Sequence, residues 1–290
     1  MTTQKLSNWG RWGPDDQIGV LNILQDPATV LEAVKLVKKG DIYSLAVPLE
    51  KDGPQFPLFH KTWRVSHWQR LHGPELDIID DMIAMETHSG SHIDGLGHSW
   101  HNGQFYNGFS SDEFASSRGV ERLGIENVRH IVGRGVMLDV PAYKGVDHLQ
   151  EAEPVTAGDL DRVAEAQGIG FRPGDVVLVR TGWYTLFHTD RERWSRTFPG
   201  PDGSVLPWLK KHDVVAIGAD HPACERYENL EDPVETPLHR HGLRDLGVYL
   251  LENLDLEDLA RDKVYEFLFV GAPLRITHGT GSPWNPLAIA

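Results

Sequence analysis

His88-Ser89-Gly90-Ser91-His92-Ile93-Asp94-Gly95-Leu96-Gly97-His98 sets three imidazoles and one carboxylate within eleven residues. Neutral imidazole nitrogens and a carboxylate oxygen suit Zn²⁺, Mn²⁺ or Fe²⁺, whereas Ca²⁺ and Mg²⁺ prefer shells of oxygen alone. In an extended chain His92 and Asp94 project to the same side. Gly90, Gly95 and Gly97 are expected to let the backbone bend so that His88 joins them. Three ligands would then converge on one divalent ion and leave positions open for water and substrate. A single histidine is more often a hydrogen-bonded surface or core residue, and among 15 histidines some clustering arises by chance. The acidic partner and the three glycines favour the metal reading.

Outward from this run, the apolar stretch 82–87 reads as a strand leading directly into it. Similar short runs bounded by turn residues predict strands at 41–49, 136–140, 175–180, 214–218, 247–251 and 264–270. A helix is predicted over 27–39, with Asp26 as cap, Pro27 in the first turn, Gly40 after the end, and Val30, Leu31, Val34, Leu36 and Val37 at helical spacing. Others are predicted over 157–167, between Thr156 as cap and Gly168 as stop, and over 205–211 and 256–261. Strands alternating with helices give an α/β fold with a sheet at its centre. The pattern leaves the topology open. No repeat, low-complexity tract or linker marks a boundary, so residues 1–290 are expected to form a single domain.

Composition narrows the function classes. Apolar residues at 40% and charged residues at 24% lie in the globular range. A formal charge of -14 argues against nucleic acid or an anionic membrane as partner, since both need a basic surface. A small-molecule substrate fits better. Cys224 is the only cysteine, which excludes an intrachain disulfide framework and a thiolate-rich metal site and points to the cytoplasm. The first residues lack a secretion-signal pattern, and no apolar run approaches the roughly 18 residues of a membrane span.

A second cluster lies at Leu238-His239-Arg240-His241, with Glu252 in Leu250-Leu251-Glu252-Asn253. Glu252 either ends a buried strand, where it would need a cation or metal, or sits in solvent just beyond it.

These residues resemble the cyclase-like metal hydrolases, the family of bacterial kynurenine formamidase, isatin hydrolase and a metal-dependent dienelactone hydrolase. The family signature His-x-Gly-Thr-His-x-Asp-x-x-x-His is matched from His88 to His98, with Ser91 in place of threonine. Similarity continues at Arg11-Trp12-Gly13-Pro14-Asp15-Asp16-Gln17-Ile18-Gly19, at Asn102-Gly103-Gln104-Phe105-Tyr106-Asn107-Gly108, at 249–256 and at Gly279-Thr280-Gly281-Ser282-Pro283. The resemblance implies a mixed central β-sheet or partly closed barrel with surrounding helices, of the swivelling β/β/α type, with an N-terminal extension. It implies His88, His92 and Asp94 as metal ligands, with Asp94 bridging where a second ion is present. His98 would be the acid/base residue, and His239 and Glu252 the late ligands. His241 and His221 are alternatives to His239. It implies one or two divalent transition-metal ions, Zn²⁺ or Mn²⁺, and a homodimer or homotetramer. The implied activity is hydrolysis of an amide, imide or lactone in a small cyclic or aryl substrate.

Phe56, Phe59, Trp100 and Phe105 fall in expected loops beside the signature. Phe56, Phe59 and Trp100 are candidates to pack a planar substrate, against the plainer role of core packing. Other catalytic signatures, such as Gly-x-Ser-x-Gly or His-Glu-x-x-His, are absent. The stretch 279–282 reads as a turn. Cys224, three residues after His221, is a weak nucleophile candidate, since a lone cysteine is more often a small buried residue. Two alternatives to hydrolysis stay open: a cyclase or lyase using the metal to stabilise an enolate, and a non-catalytic metal- or ligand-binding protein.

Overall fold

A computed structural model describes residues 6–57, 63–69, 78–229 and 236–290, and gives the backbone alone for 63–69 and 78–80. Among the described residues, nine strands form one sheet: β1 (Ile42–Ser44), β2 (His92–Asp94), β3 (Ile131–Asp139), β4 (Val176–Arg180), β5 (Ala216–Ala219), β6 (Tyr249–Glu252), β7 (Glu266–Gly271), β8 (Gly281–Pro283) and β9 (Leu287–Ile289). Their order across the sheet is β1-β9-β7-β3-β4-β5-β6-β2-β8. The central four, β3 to β6, run parallel. The flanking pairs are antiparallel. The sheet curls into a half-barrel surrounded by helices, as the mixed-sheet expectation had it.

The parallel centre follows from composition. Val176–Arg180, Ala216–Ala219 and Tyr249–Glu252 are buried at every position. Parallel strands covered on both faces read as continuous apolar runs for this reason. Apart from Arg134 within β3, which pairs with Asp175 (2.7 Å), the charged exceptions sit at the carboxyl ends: Asp139 closes β3, Arg180 closes β4, Asp220 follows β5 and Glu252 closes β6. Arg180 donates from Nη1 to Asp139 (2.9 Å) and by a fork to both oxygens of Glu257 (2.8 Å each). That fork ties the helix Glu257–Arg261 to the sheet. Charges are thus gathered along the edge where open α/β sheets bind their ligands.

The predicted helix over 157–167 forms as Ala157–Gln167, with a reciprocal capping box between Thr156 and Asp159 and Gly168 in the left-handed region at its end. Elsewhere local chemistry moved the bounds. The helix expected over 27–39 ends at Val34, and Leu31 and Val34 are exposed. Its apolar spacing faces solvent more than core. The strand expected over 41–49 shrinks to Ile42–Ser44. The run 82–87 is not a sheet strand leading into the signature. Ile78–Ala84 pairs with Trp63–Gln69 in a separate two-stranded ribbon, and Met82 and Ile83 are exposed there. Of the expected turn at 279–282, Gly279 closes a turn onto the Ile276 carbonyl (2.9 Å), whereas Gly281 and Ser282 begin β8. A π-helix, Leu238–Leu246, carries the second histidine cluster and had no sequence signal. No helix of the described residues is long and apolar enough to cross a membrane.

Candidate metal centre

Strand β2 is three residues long, and its alternation aims His92 and Asp94 at one face while Ile93 enters the core. It lies between β6 and β8, with Glu252 directly opposite His92 and Gly281 directly opposite Asp94. Directly opposite residues of an antiparallel pair share a face. Register therefore brings Glu252 Oε2 to 3.2 Å from His92 Nε2. Of the two readings open for Glu252, burial is the one observed, with 4% exposure.

The glycines act in two ways. Gly90 adopts φ +62°, and its carbonyl accepts from His92 Nδ1 (2.9 Å) and Asn253 Nδ2 (3.0 Å). Gly95 opens a turn that the His98 N–H closes onto its carbonyl (2.9 Å), so the bend falls after β2 and carries His98, and both Gly95 and Gly97 are required by close approach. A Cβ on Gly95 would lie 2.9 Å from the Thr280 carbonyl oxygen, and one on Gly97 would lie 2.7 Å from Val120. Gly281 clears the space for His88, whose Nε2 would meet an added Cβ at 2.5 Å. Ser91 keeps the hydroxyl that the family's threonine would supply: it accepts from the Val47 N–H (2.8 Å) and donates to the Asn253 carbonyl.

Asp94 is the hub. Its Oδ1 lies 3.4 Å from His88 Nε2 and 3.5 Å from His92 Nε2, and its Oδ2 lies 3.4 Å from His239 Nε2. His239 Nε2 is also 3.5 Å from Glu252 Oε1. Two donors each about 2.1 Å from one ion at a tetrahedral angle stand roughly 3.4 Å apart, the spacing seen here. Donor atoms of His92, Asp94 and Glu252 lie within 4.8 Å of one another, and so do those of His88, Asp94 and His98. Asp94 belongs to both groups. His88 Nε2, both Asp94 oxygens and Glu252 Oε1 are buried without a hydrogen-bond partner. Buried carboxylates in that condition are costly unless a cation meets them, so the residues fit a divalent ion.

The ring nitrogens are sorted for this task. His92 Nδ1 faces a carbonyl and His239 Nδ1 faces the Glu225 carboxylate at 2.6 Å, so whenever either ring is neutral Nδ1 carries the proton and Nε2 is bare. Against burial, Glu252 raises His92, and Asp94 with Glu225 raises His239 well above the ordinary imidazole value, so without a cation in the centre these two rings attract a proton. Burial, with the neighbouring His98, pushes His88 well below the ordinary imidazole value, and burial likewise lowers His98. Burial would raise Asp94, but positive charge on its imidazole neighbours His98, His239, His88 and His92 would outweigh it and hold the carboxyl well below the usual carboxylate range, a role a bound cation would take over where the rings are neutral. His98 stacks on His88, with ring centroids 4.0 Å apart.

These groups line a cavity of about 260 Å³ whose other walls are Phe56, Pro222, Ala223, Tyr227 and Thr236. Phe56 meets Tyr227 edge-on at 5.6 Å. Phe59 lies outside the described residues. Trp100 is exposed and packs on Phe105 (5.3 Å); neither lines the cavity, and Phe105 belongs to the main core. Among the three late histidines, His239 faces the cavity. His241 pairs with Asp245 (2.7 Å), and His221 is buried against Phe198. Cys224 donates to the Ile217 carbonyl, and burial pushes its thiol well up, which suits core packing and not a nucleophile. Tyr227, Thr236 and Glu225 carried no signal in the local sequence.

The family described as "Putative cyclase" matches residues 43–226, which include the signature and Glu225. The chain belongs to the cyclase family. A crystal structure of a novel cyclase superimposes with a TM-score of 0.90 at 32% identity, covering 98% of this chain and 99% of that one. The kynurenine formamidase of Geobacillus thermodenitrificans is 24% identical over 219 residues, 75% of this chain and 82% of that protein. The isatin hydrolase of Roseibium aggregatum is 26% identical over 217 residues, 71% of this chain and 73% of that protein. Isatin hydrolase A from Ralstonia solanacearum shares the fold, with a TM-score of 0.64 at 22% identity over 92% of this chain and 96% of that one.

Proposed function

We propose that this cyclase-family chain is a metal-dependent hydrolase that opens an amide, imide or lactone bond in a small aryl or cyclic substrate. The observation that carries the reading is the convergence of buried His88, His92, Asp94 and Glu252 with half-buried His239, four of their atoms being buried and unpartnered. Relatives named kynurenine formamidase and isatin hydrolase support the bond class. His88, His92, Asp94, His239 and Glu252 would hold Zn²⁺ or Mn²⁺, one ion or two. Such an ion, when bound, brings the pKa of water toward neutrality and polarises a carbonyl oxygen. His98, neutral through burial, accepts a proton from the attacking water and returns it to the leaving nitrogen or oxygen. Phe56 and Tyr227 form an aromatic wall, and a cavity of about 260 Å³ suits a substrate of one or two rings.

A second reading of His98 has its own observation: its donor atom groups with those of His88 and Asp94. It would then be a ligand of one of two ions, with Asp94 shared. Ion stoichiometry separates the readings, two per chain favouring the ligand role. We further read residues 1–290 as one domain of a cytoplasmic protein, in keeping with the single cysteine, and as a homo-oligomer on the family resemblance.

The deciding experiment is elemental analysis of the purified protein, followed by a panel of aryl formamides, isatin-like imides and lactones in ¹⁸O water. Hydrolysis predicts a divalent transition metal and one labelled oxygen in the new carboxylate. Turnover without label would point to a cyclase or lyase, and protein with no affinity for such an ion would overturn the reading.

A further inference from the structure

Glu225 is completely buried, and it is not among the residues lining the cavity. It sits in the loop after β5 and receives three hydrogen bonds. The backbone N–H of Leu238 donates to Oε2 at 2.6 Å, that of His239 donates to Oε1 at 3.2 Å, and His239 Nδ1 donates to Oε1 at 2.6 Å. The two backbone N–H groups can only donate, one to each oxygen, so the position calls for a group that accepts at both oxygens, as a carboxylate does, and Nδ1 facing the same Oε1 is then the donor. The first two bonds satisfy N–H groups at the start of the π-helix, which have no partner within the helix. The third fixes a ring. Neighbouring histidines are held more weakly: His92 by the Gly90 carbonyl, and His88 beside the Thr87 hydroxyl at 3.1 Å. His239 alone among them is backed by a carboxylate.

We propose that Glu225 is the positioning residue of this centre: it locks His239 with its proton on Nδ1 and its bare Nε2 aimed between Asp94 and Glu252. The inference rests on the reading of the centre as ion-binding. A carboxylate behind an imidazole fixes the tautomer, orients the ring and makes the other nitrogen a stronger donor. One side chain thereby couples the start of the π-helix to the donor set. Glutamine at 225 keeps a single carbonyl oxygen and turns an N–H₂ toward the Leu238 N–H, so it cannot serve all three donors.

The test is Zn²⁺ affinity, measured by competition with a chelator, for wild type, Glu225→Gln, His239→Ala and the double variant. Glu225→Gln should bind roughly 10- to 100-fold more weakly. On the His239→Ala background it should cost less than about twofold more, because Glu225 acts through that ring. Unchanged affinity in Glu225→Gln, or an equal loss on both backgrounds, would overturn the proposal and leave Glu225 as a helix cap. Should Glu225→Gln fail to fold, ¹⁵N-histidine spectra of Zn²⁺-loaded wild type decide: His239 should carry its proton on Nδ1, and a proton on Nε2 overturns the inference. A wild type that takes up no Zn²⁺ sinks the reading of the centre itself, and this inference with it.

Discussion

His98 stands closest to the division between holding an ion and moving a proton. Its ring stacks on His88 and is kept neutral by burial. Replacing it with alanine should lower kcat by about 10²- to 10⁴-fold while elemental analysis finds the wild-type ion content. A loss of ion in step with the loss of rate would instead make it a ligand. At this scale much of the centre was legible. His88, His92 and Asp94 stand out by spacing within one short segment, whereas the residues left Glu252 between a buried and a solvated reading and the resemblance chose it. Choosing His239 over His241 or His221 needed the resemblance, because nothing local tells three such rings apart. Glu225, Tyr227 and Thr236 were not legible, since what they touch depends on where the loop after β5 and the start of the π-helix cross.

Among the elements, β8 governs the space in which His88 stands. Gly281→Ala places a methyl 2.5 Å from His88 Nε2 and 2.8 Å from the Ile93 carbonyl oxygen. The variant should fold with a loss of about 1–3 kcal/mol from overpacking. Its Zn²⁺ affinity in a chelator competition should fall at least roughly tenfold, and unchanged affinity would remove His88 from the ligand set. Thr156→Ala, outside the cavity lining, should lose about 0.5–2 kcal/mol in urea melts by breaking the capping box, with kcat unaltered. The capped helix was readable because its signals lie within a dozen residues. Strands β2 and β8 were not, because each is three residues long and exists only through partners far along the chain. The run at 82–87 misled because an exposed ribbon and a buried strand share the same apolar letters.

At the scale of the whole molecule, two adjacent buried groups set opposing responses to acid. Burial pushes the Asp220 carboxyl up to about 6 and the His221 imidazole down to about 3. His221 takes a proton in the unfolded chain near pH 6.5 but not in the folded one, so its contribution is lost as pH falls below 6.5. Asp220 takes a proton in the folded chain first, so its contribution is gained as pH falls through 6 toward 3.8. The two nearly cancel between pH 6.5 and 5. Asp220→Asn should therefore become more acid-sensitive than wild type by about 1–2 kcal/mol over that range, and His221→Asn less so by a similar amount. Urea melts at both pH values would show it, and parallel slopes for all three proteins would refute it. Stripping the ion should lower Tm, because ligand present at a thousandfold over its Kd stabilises by about 4 kcal/mol.

The placement of β2 between β6 and β8 also bears on synthesis. A ribosome that has just released the signature segment has yet to translate the strands on either side of it and the helix that presents His239. The emerging polypeptide thus holds three of the five donors, and full capture of the ion must wait until Glu252 has left the exit tunnel.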